Sequence, residues 1–171
     1  MRLFSAVLAA VLATASVTNA SAVRYQFCWV GANGYTMEGT MTLRDGATGL
    51  ATEADVTDFQ IIGFREGVAI GSWSLSQRTA QTSFLLRFDT ETMRFPTGGI
   101  RSENSYQEWN ANGSVDNCGA VDGFGWNGGN WAQDVCINNV WIEDSSIDPN
   151  TPLYAQPMDV TLICEDVVPT S

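Results

Sequence analysis

The 171-residue chain contains no histidine and no lysine. The absence of histidine excludes Ser-His-Asp and Cys-His nucleophilic catalysis, and it removes the commonest protein ligand of transition metals. An enzyme built on this sequence has to use carboxylates, tyrosine, arginine or a cofactor. The sequence therefore favours a protein that is not an enzyme.

Positive charge is scarce as well. Eight arginines stand against 19 acidic residues, which gives a formal net charge of −11. Arg2 lies in an N-terminal leader, so the rest of the chain has a net charge of −12. Such a surface repels nucleic acid and anionic lipid, which excludes both as partners. Solubility in a salty medium, calcium binding and attraction to a cationic partner all fit this acidity.

An apolar run lies at the N-terminus. Arg2 precedes the apolar run Leu3–Ala13, and Ala20 and Ala22 form the small-residue pattern that signal peptidase accepts. The run is too short to cross a hydrocarbon core of about 30 Å. We predict a signal peptide over residues 1–22, cleaved after Ala22 or alternatively after Ala20. It implies export to the periplasm or the extracellular medium, with no membrane span in the mature chain.

The mature segment, residues 23–171, has the length of one domain and contains all four cysteines, Cys28, Cys118, Cys136 and Cys164. An even number of cysteines in an exported chain predicts two disulfide bonds, for which three pairings are possible. We favour Cys118–Cys136, which closes a short Gly/Asn-rich loop, together with Cys28–Cys164, which links the first strand to the last. Without histidine or Cys-x-x-Cys spacing, a zinc site is disfavoured.

Apolar and polar residues alternate with a period of two along much of the mature chain, which is typical of half-buried antiparallel strands. The predicted strands are Arg24–Val30, Tyr35–Arg44, Asp58–Arg65, Val68–Leu75, Ser83–Phe88, Thr92–Phe95, Asp134–Ile142 and Met158–Cys164. Asn33-Gly34 and Glu66-Gly67 are the turn dipeptides of the first two hairpins. Strands at this spacing predict an all-β fold, an antiparallel β-sandwich or jelly-roll-like domain.

Helix signals are few. Ser105–Glu108 has the spacing of a capping box and predicts one or two helical turns. Thr52–Val56 is the other candidate for a turn of helix. The segment Gly98–Asn130 is rich in glycine and asparagine, so we expect it to be the least regular part of the domain.

Four aromatic residues in or near this irregular segment are candidate ligand contacts: Tyr106, Trp109, Trp126 and Trp131. A ring face can take the apolar side of a pyranose while nearby amides and carboxylates bind its hydroxyl groups. This hypothesis predicts that the four rings are exposed and roughly coplanar. The alternative is a disulfide-pinned loop whose tryptophans cover the edge of the core. The tryptophans inside predicted strands are assigned to the core: Trp29, Trp73 and Trp141.

Acidic side chains offer two further kinds of site. No cofactor motif is present, and calcium is the metal that the composition allows, with Asp116 and Asp122 as candidate ligands outside any EF-hand spacing. A carboxylate-based hydrolase needs two acids facing each other across a cleft, one of them with a raised pKa. Glu38, Glu108 and Glu143 are candidates, and the sequence alone does not bring them together.

Several strand-like motifs carry a family resemblance: Tyr25–Phe27, Tyr35–Leu43, Val56–Phe59, Ile61–Phe64, Gly71–Leu75 and Phe84–Asp89. Together they resemble uncharacterised secreted bacterial proteins, many of which end in a PEP-CTERM-type sorting tail. The resemblance covers about residues 24–100 and implies a β-sandwich destined for the cell exterior, without implying any catalytic residue. No apolar helix or basic stop follows Cys164, so the resemblance implies no sorting or anchoring for this chain.

These observations favour an exported, non-enzymatic β-sandwich with a structural or surface-interaction role, whose partner is another extracellular protein. The first alternative is a module that binds a glycan or another small ligand through tryptophan and tyrosine. The second alternative is a carboxylate-based hydrolase. A structural role predicts that the four candidate rings are buried and that a sheet face or edge is apolar.

Overall fold

The computed structural model describes residues 22–119, 122–162 and 164. The predicted signal peptide therefore lies outside the described residues, apart from its last residue, Ala22. The described part is built from β-strands. They are β1 (Val23–Val30), β2 (Tyr35–Leu43), β3 (Leu50–Thr52), β4 (Val56–Arg65), β5 (Val68–Ser74), β6 (Phe84–Leu85), β7 (Arg87–Asp89), β8 (Arg94–Phe95), β9 (Glu108–Trp109), β10 (Phe124–Gly128), β11 (Gln133–Ile137), β12 (Val140–Ile147) and β13 (Leu153–Pro157).

The strands form two antiparallel sheets that curl into a half-barrel around a shared core. The larger sheet has the order β3-β7-β8-β13-β1-β2-β4-β5, and the smaller has the order β12-β11-β10-β9-β6. The all-β, sandwich-like fold class predicted from alternation is confirmed.

The first hairpins follow directly from local sequence. β1 pairs with β2 and β4 pairs with β5, with turns at Asn33-Gly34 and Glu66-Gly67. Asn33 and Gly34 have φ values of 51° and 77°, and Glu66 and Gly67 have 50° and 78°. Positive φ at both central residues is the requirement of a type I′ turn, whose twist matches that of the flanking strands.

Aromatic side chains dominate the core between the sheets. Phe27 of β1 and Phe59 of β4 meet Trp109 of β9, with ring centroids 5.3 and 5.0 Å from that of Trp109. Phe124 of β10 lies against Gly63 of β4, where an added Cβ would fall 1.9 Å from the Phe124 ring. The absence of a side chain at Gly63 therefore lets the two sheets approach each other.

Two late strands differ from the prediction. The segment Asp134–Ile142 is not one strand but the hairpin β11–β12, because Asn138 and Asn139 have φ values of 48° and 67° and form its turn. The strand predicted over Met158–Cys164 is also wrong. The last described strand is β13, Leu153–Pro157, which pairs with β1 and β8, and a turn follows at Met158.

The predicted strand Ser83–Phe88 is divided at Leu86. β6 joins the smaller sheet through β9, while β7 joins the larger sheet through β3 and β8. The buried amide of Gln107 bridges this break, because it accepts from the Arg87 N–H at 3.1 Å and donates to the Arg87 carbonyl at 2.8 Å. The chain thus changes sheets at a corner, as strands in packed sheets can do.

The helix predicted at Ser105–Glu108 is wrong as well. Glu108 and Trp109 form β9, since Trp109 pairs with Phe84 and Trp126 of the neighbouring strands. Tertiary pairing here overrides a local capping signal. Residues 53–55 form a hydrogen-bonded turn between β3 and β4, and a 3₁₀ turn occupies Leu75–Gln77.

Both predicted disulfide bonds are confirmed. Cys28 of β1 pairs with Cys164, and Cys118 pairs with Cys136 of β11, at Cα separations of 5.2 and 6.3 Å. Two disulfide bonds are typical of proteins in an oxidising extracellular or periplasmic environment. Within the described ranges, no helix has the length and apolar character needed to cross a bilayer.

Candidate ligand-binding site

The four aromatic candidates do not form one exposed platform. Trp109 and Trp126 are both 0% exposed, and their ring centroids lie 4.6 Å apart inside the core. Tyr106 is also buried, whereas Trp131 is 88% exposed. The exposure that the sequence hypothesis required is therefore found at Trp131 and is absent at Tyr106, Trp109 and Trp126.

The burial of these two tryptophans follows from strand pairing. Trp126 of β10 stands opposite Trp109 of β9, and both rings point toward the larger sheet. Every residue of β10 is buried, because its other face is covered as well. Trp131 follows β10 in the connection to β11, where no opposing strand covers it.

Trp131 stands at a cavity of about 240 Å³ on the outside of the smaller sheet. Tyr106 and Trp141 are the other aromatic residues in its lining. Trp141 was assigned to the core from sequence, as were Trp29 and Trp73, and the last two are indeed core residues. Trp141 is only partly buried, and its Nε1 donates to the Val115 carbonyl at 3.1 Å.

The polar lining of this cavity contains two amides and two carboxylates: Asn127, Asn130, Asp134 and Glu143. We call this pocket, with its aromatic lining, the Trp131 cavity. A second concavity of about 390 Å³ shares four of its lining residues and adds Arg101. The two concavities therefore adjoin each other on the surface.

Both carboxylates lie at an irregularity in the pairing of β11 with β12. Gln133 pairs with Ile147 and Val135 pairs with Ile142, so the single residue Asp134 faces the four residues Glu143–Ser146. Such irregularities re-aim side chains and are frequent beside functional sites. No sequence pattern predicts this bulge, so Asp134 was not among the predicted site residues.

Asp134 is a partly buried carboxylate, and few interactions offset the cost of burying its charge. Burial raises the pKa of its carboxyl to about 6, against a weaker lowering effect of the Ser146 hydroxyl. The Ser146 Oγ lies 3.4 Å from Asp134 Oδ2, a long hydrogen bond. A carboxylate held at such a cost inside a cavity is typical of binding and catalytic sites.

A buried polar network holds the tyrosine in place. The Tyr106 hydroxyl donates to Glu108 Oε1 at 3.0 Å and accepts from Asn127 Nδ2 at 3.2 Å. Asn127 Oδ1 in turn accepts from the Gly129 N–H at 2.9 Å. Arg101 Nη2 lies 3.3 Å from Glu108 Oε2, an ion-pair distance without hydrogen-bond geometry. The network fixes the orientation of the Tyr106 ring.

The ionisation of the network is governed by burial. Burial raises the pKa of the Glu108 carboxyl, which the Arg101 charge and the Tyr106 hydroxyl partly offset. Burial also raises the pKa of the Tyr106 phenol, so this group stays protonated as a donor at neutral pH. Glu108 is thus a structural carboxylate beneath the cavity and does not line it.

The other acidic candidates are dispersed. Glu38 is exposed on β2 of the larger sheet, so the three glutamates named from sequence do not share one cleft. The calcium candidates Asp116 and Asp122 are exposed in the loop before β10. Among the described residues there is no group of three or more His, Cys, Asp or Glu side chains that could hold a metal ion.

Replacing Asp134 by Asn is expected to change how stability depends on pH. The folded-state pKa exceeds the ordinary value of 3.8, so the folded protein binds the Asp134 proton more tightly than the unfolded chain does. The contribution of this group to the free energy of unfolding is fully present below pH 3.8 and is lost as the pH rises through about 6. The unfolding free energy of wild type minus that of Asp134→Asn should fall by up to about 3 kcal/mol over this range.

Urea unfolding of both proteins at intervals between pH 3.5 and 7 measures this difference. Taking the difference at each pH cancels the contributions of the other carboxylates. A difference that stays constant across the range contradicts the assignment.

In comparisons with known proteins, no protein-family model, no curated protein and no solved structure matches the chain.

Proposed function

We propose that this domain is an exported, non-enzymatic binding module that holds a saccharide-like ligand in the Trp131 cavity. The observation that carries the proposal is the 88% exposure of Trp131 at the edge of a cavity lined by further aromatic and amide groups. A freely exposed indole contributes little to folding, and a ring at the mouth of a cavity is suited to stacking on a ligand.

The chemistry of the lining supports a polar ring as the ligand. The indole face of Trp131 takes the C–H face of a sugar ring, while the side chains of Asn130 and Asp134 can hydrogen-bond to hydroxyl groups. Tyr106 is buried, and its hydrogen bonds to Glu108 and Asn127 fix this part of the cavity wall, so little additional ordering is needed there on binding.

Export is part of this proposal. It is supported by the predicted signal peptide over residues 1–22, by the resemblance to secreted bacterial proteins, and by two disulfide bonds that need an oxidising compartment. Periplasmic and extracellular locations both meet this condition.

Two other functions compete with ligand binding. A structural or surface-interaction role is favoured by the burial of Tyr106, Trp109 and Trp126, which are three of the four candidate ligand-binding rings. A carboxylate-based hydrolase is favoured by Asp134, whose pKa of about 6 suits a general acid, beside Glu143 in the same cavity. Ligand binding ranks first because it requires only the exposed ring and the lining already described.

The test is to titrate the mature protein with a panel of oligosaccharides by calorimetry and tryptophan fluorescence. At least one oligosaccharide is expected to bind, and Trp131→Ala should weaken it by about tenfold or more, equivalent to the 1.4 kcal/mol that a lost stacking contact commonly costs. Trp131→Phe, which keeps an aromatic face, should retain most of the affinity.

Val68→Ala is the matched control, because Val68 is exposed on β5 of the other sheet and should leave binding unchanged. Mass spectrometry of the same mixtures after prolonged incubation separates the candidates. Shortened oligosaccharides in the wild-type mixture but not in that of Asp134→Asn would establish hydrolysis, whereas absence of binding across the panel would favour the structural role.

A further inference from the structure

The charge of the Trp131 cavity carries an inference about its ligand. Of the ten residues that line it, two are acidic and none is basic. Asp134 and Glu143 lie on the facing strands β11 and β12, on the bulge that directs them to the cavity. The nearest arginine in the neighbouring concavity, Arg101, is paired with Glu108 and is not part of this lining.

We infer that the Trp131 cavity selects a sugar ligand that carries a free ammonium group, an unacetylated amino sugar, over its neutral N-acetylated form. The inference rests on the proposed function, since it names the ligand class of the same cavity. It combines three features of the lining: the exposed indole of Trp131, the partly buried indole of Trp141, and two carboxylates with no basic residue in the same lining.

Each feature acts on an ammonium group in a different way. The carboxylates attract it by charge, and Asp134 gains a partner that its single long hydrogen bond to Ser146 does not provide. The exposed indole of Trp131 and the partly buried indole of Trp141 attract a cation through their quadrupoles, most strongly where water is displaced. A neutral amide on the sugar would instead leave both carboxylates without a counter-charge.

The whole molecule reinforces this selection. The chain has 19 acidic and 8 basic residues, so its overall field draws cations toward the surface. This long-range attraction is screened at physiological ionic strength, where the Debye length is about 8 Å. Selectivity that persists at that ionic strength must therefore come from the carboxylates in the cavity.

Protonation of Asp134 gives the selection a pH dependence. Its neighbours in the cavity are Glu143 and Trp141 of β12, Trp131 and Tyr106, and Ser146 donates to it. Because Asp134 has a pKa of about 6, acidification from pH 7 to 5 neutralises it and removes one of the two charges that hold the ligand. Affinity for the ammonium ligand should therefore fall over this range, and affinity for the neutral ligand should not.

The experiment compares a glucosamine tetramer with its fully N-acetylated counterpart at about 0.15 M salt and pH 7. The amine form is expected to bind about tenfold more tightly, as one ion pair and one cation–π contact would give together. Asp134→Asn and Glu143→Gln should each reduce this preference. Glu38→Gln is the matched control, because it removes one exposed acid from the larger sheet and should leave the preference unchanged.

Calorimetry on wild type and these variants separates the possible failures. If the N-acetylated tetramer binds equally well and its affinity still depends on Trp131, the inference is overturned and the proposed function stands. If the amine form is preferred through Asp134 and Glu143 while Trp131→Ala has no effect, the ammonium site stands and the proposed stacking function fails. A preference that survives both Asp134→Asn and Glu143→Gln, or the absence of binding by either tetramer, overturns the inference.

Discussion

Replacing Cys28 and Cys164 together by serine is expected to lower the free energy of unfolding by about 5 kcal/mol, the value that loop entropy assigns to a cross-link of this span. The two cysteines are 136 residues apart. Their bond joins β1, in the middle of the larger sheet, to Cys164 in the segment that follows β13. Without the bond, the unfolded chain regains the conformational entropy that the cross-link removes, which favours unfolding. A loss of this size is a large part of the stability of a typical domain.

The second disulfide provides a matched comparison. Cys118 and Cys136 are 18 residues apart, so the same relation gives about 3 kcal/mol for the Cys118→Ser, Cys136→Ser variant. Urea unfolding of the three proteins under oxidising conditions measures both losses. Equal losses, or a larger loss from the shorter loop, would mean that packing around the buried Cys118–Cys136 pair outweighs chain entropy.

The hairpins were predictable because their information is local. In β2 the buried residues alternate with partly buried or exposed ones. The turn dipeptides Asn33-Gly34 and Glu66-Gly67 adopt positive φ angles, which Asn and Gly favour and Glu66 tolerates. The disulfide pairing could also be predicted from the sequence, because the outermost cysteines lie near the first and last strands. In both cases a short stretch of sequence or simple chain position decided the outcome.

The smaller sheet could not be predicted from local sequence, because its strands depend on pairing with distant segments of the chain. β9 is two residues long and exists only because Phe84 and Trp126, from other parts of the chain, pair with Trp109. β10 is buried on both faces, so no alternation marks it. Its Gly125 lies so close to the Asn110 carbonyl that an added Cβ would fall 2.2 Å away, which a composition rich in glycine does not reveal.

The candidate site shows the same division. Of the four candidate rings, Trp131 is exposed, whereas Tyr106 is buried but contributes to the lining of the same cavity. Asp134 was missed because its position depends on the bulge between β11 and β12. The turn at Asn138-Asn139 is the local signal that could have located the hairpin, and with it the approximate neighbourhood of Asp134 and Glu143.

Trp109→Ala is expected to destabilise the domain by about 3–5 kcal/mol, the usual cost of deleting a buried tryptophan. Its ring contacts four others, with centroid distances of 5.3 Å to Phe27, 5.0 Å to Phe59, 5.1 Å to Phe95 and 4.6 Å to Trp126. Because these partners come from both sheets, the cavity left by the deletion lies at the junction of the sandwich. Neighbouring side chains cannot fill it without disturbing a sheet.

Trp131→Ala is the matched variant, since it deletes the same side chain from a position that is 88% exposed. Its effect on stability should stay within about 0.5 kcal/mol, as for most surface substitutions. Thermal and urea unfolding followed by far-UV circular dichroism measures both variants without relying on the deleted fluorophores. If Trp131→Ala cost several kcal/mol, the indole would be a packing residue and ligand binding would lose its main support. A negligible cost would leave a large aromatic side chain that folding does not require, which would support the proposed ligand contact at a cavity that two carboxylates also line.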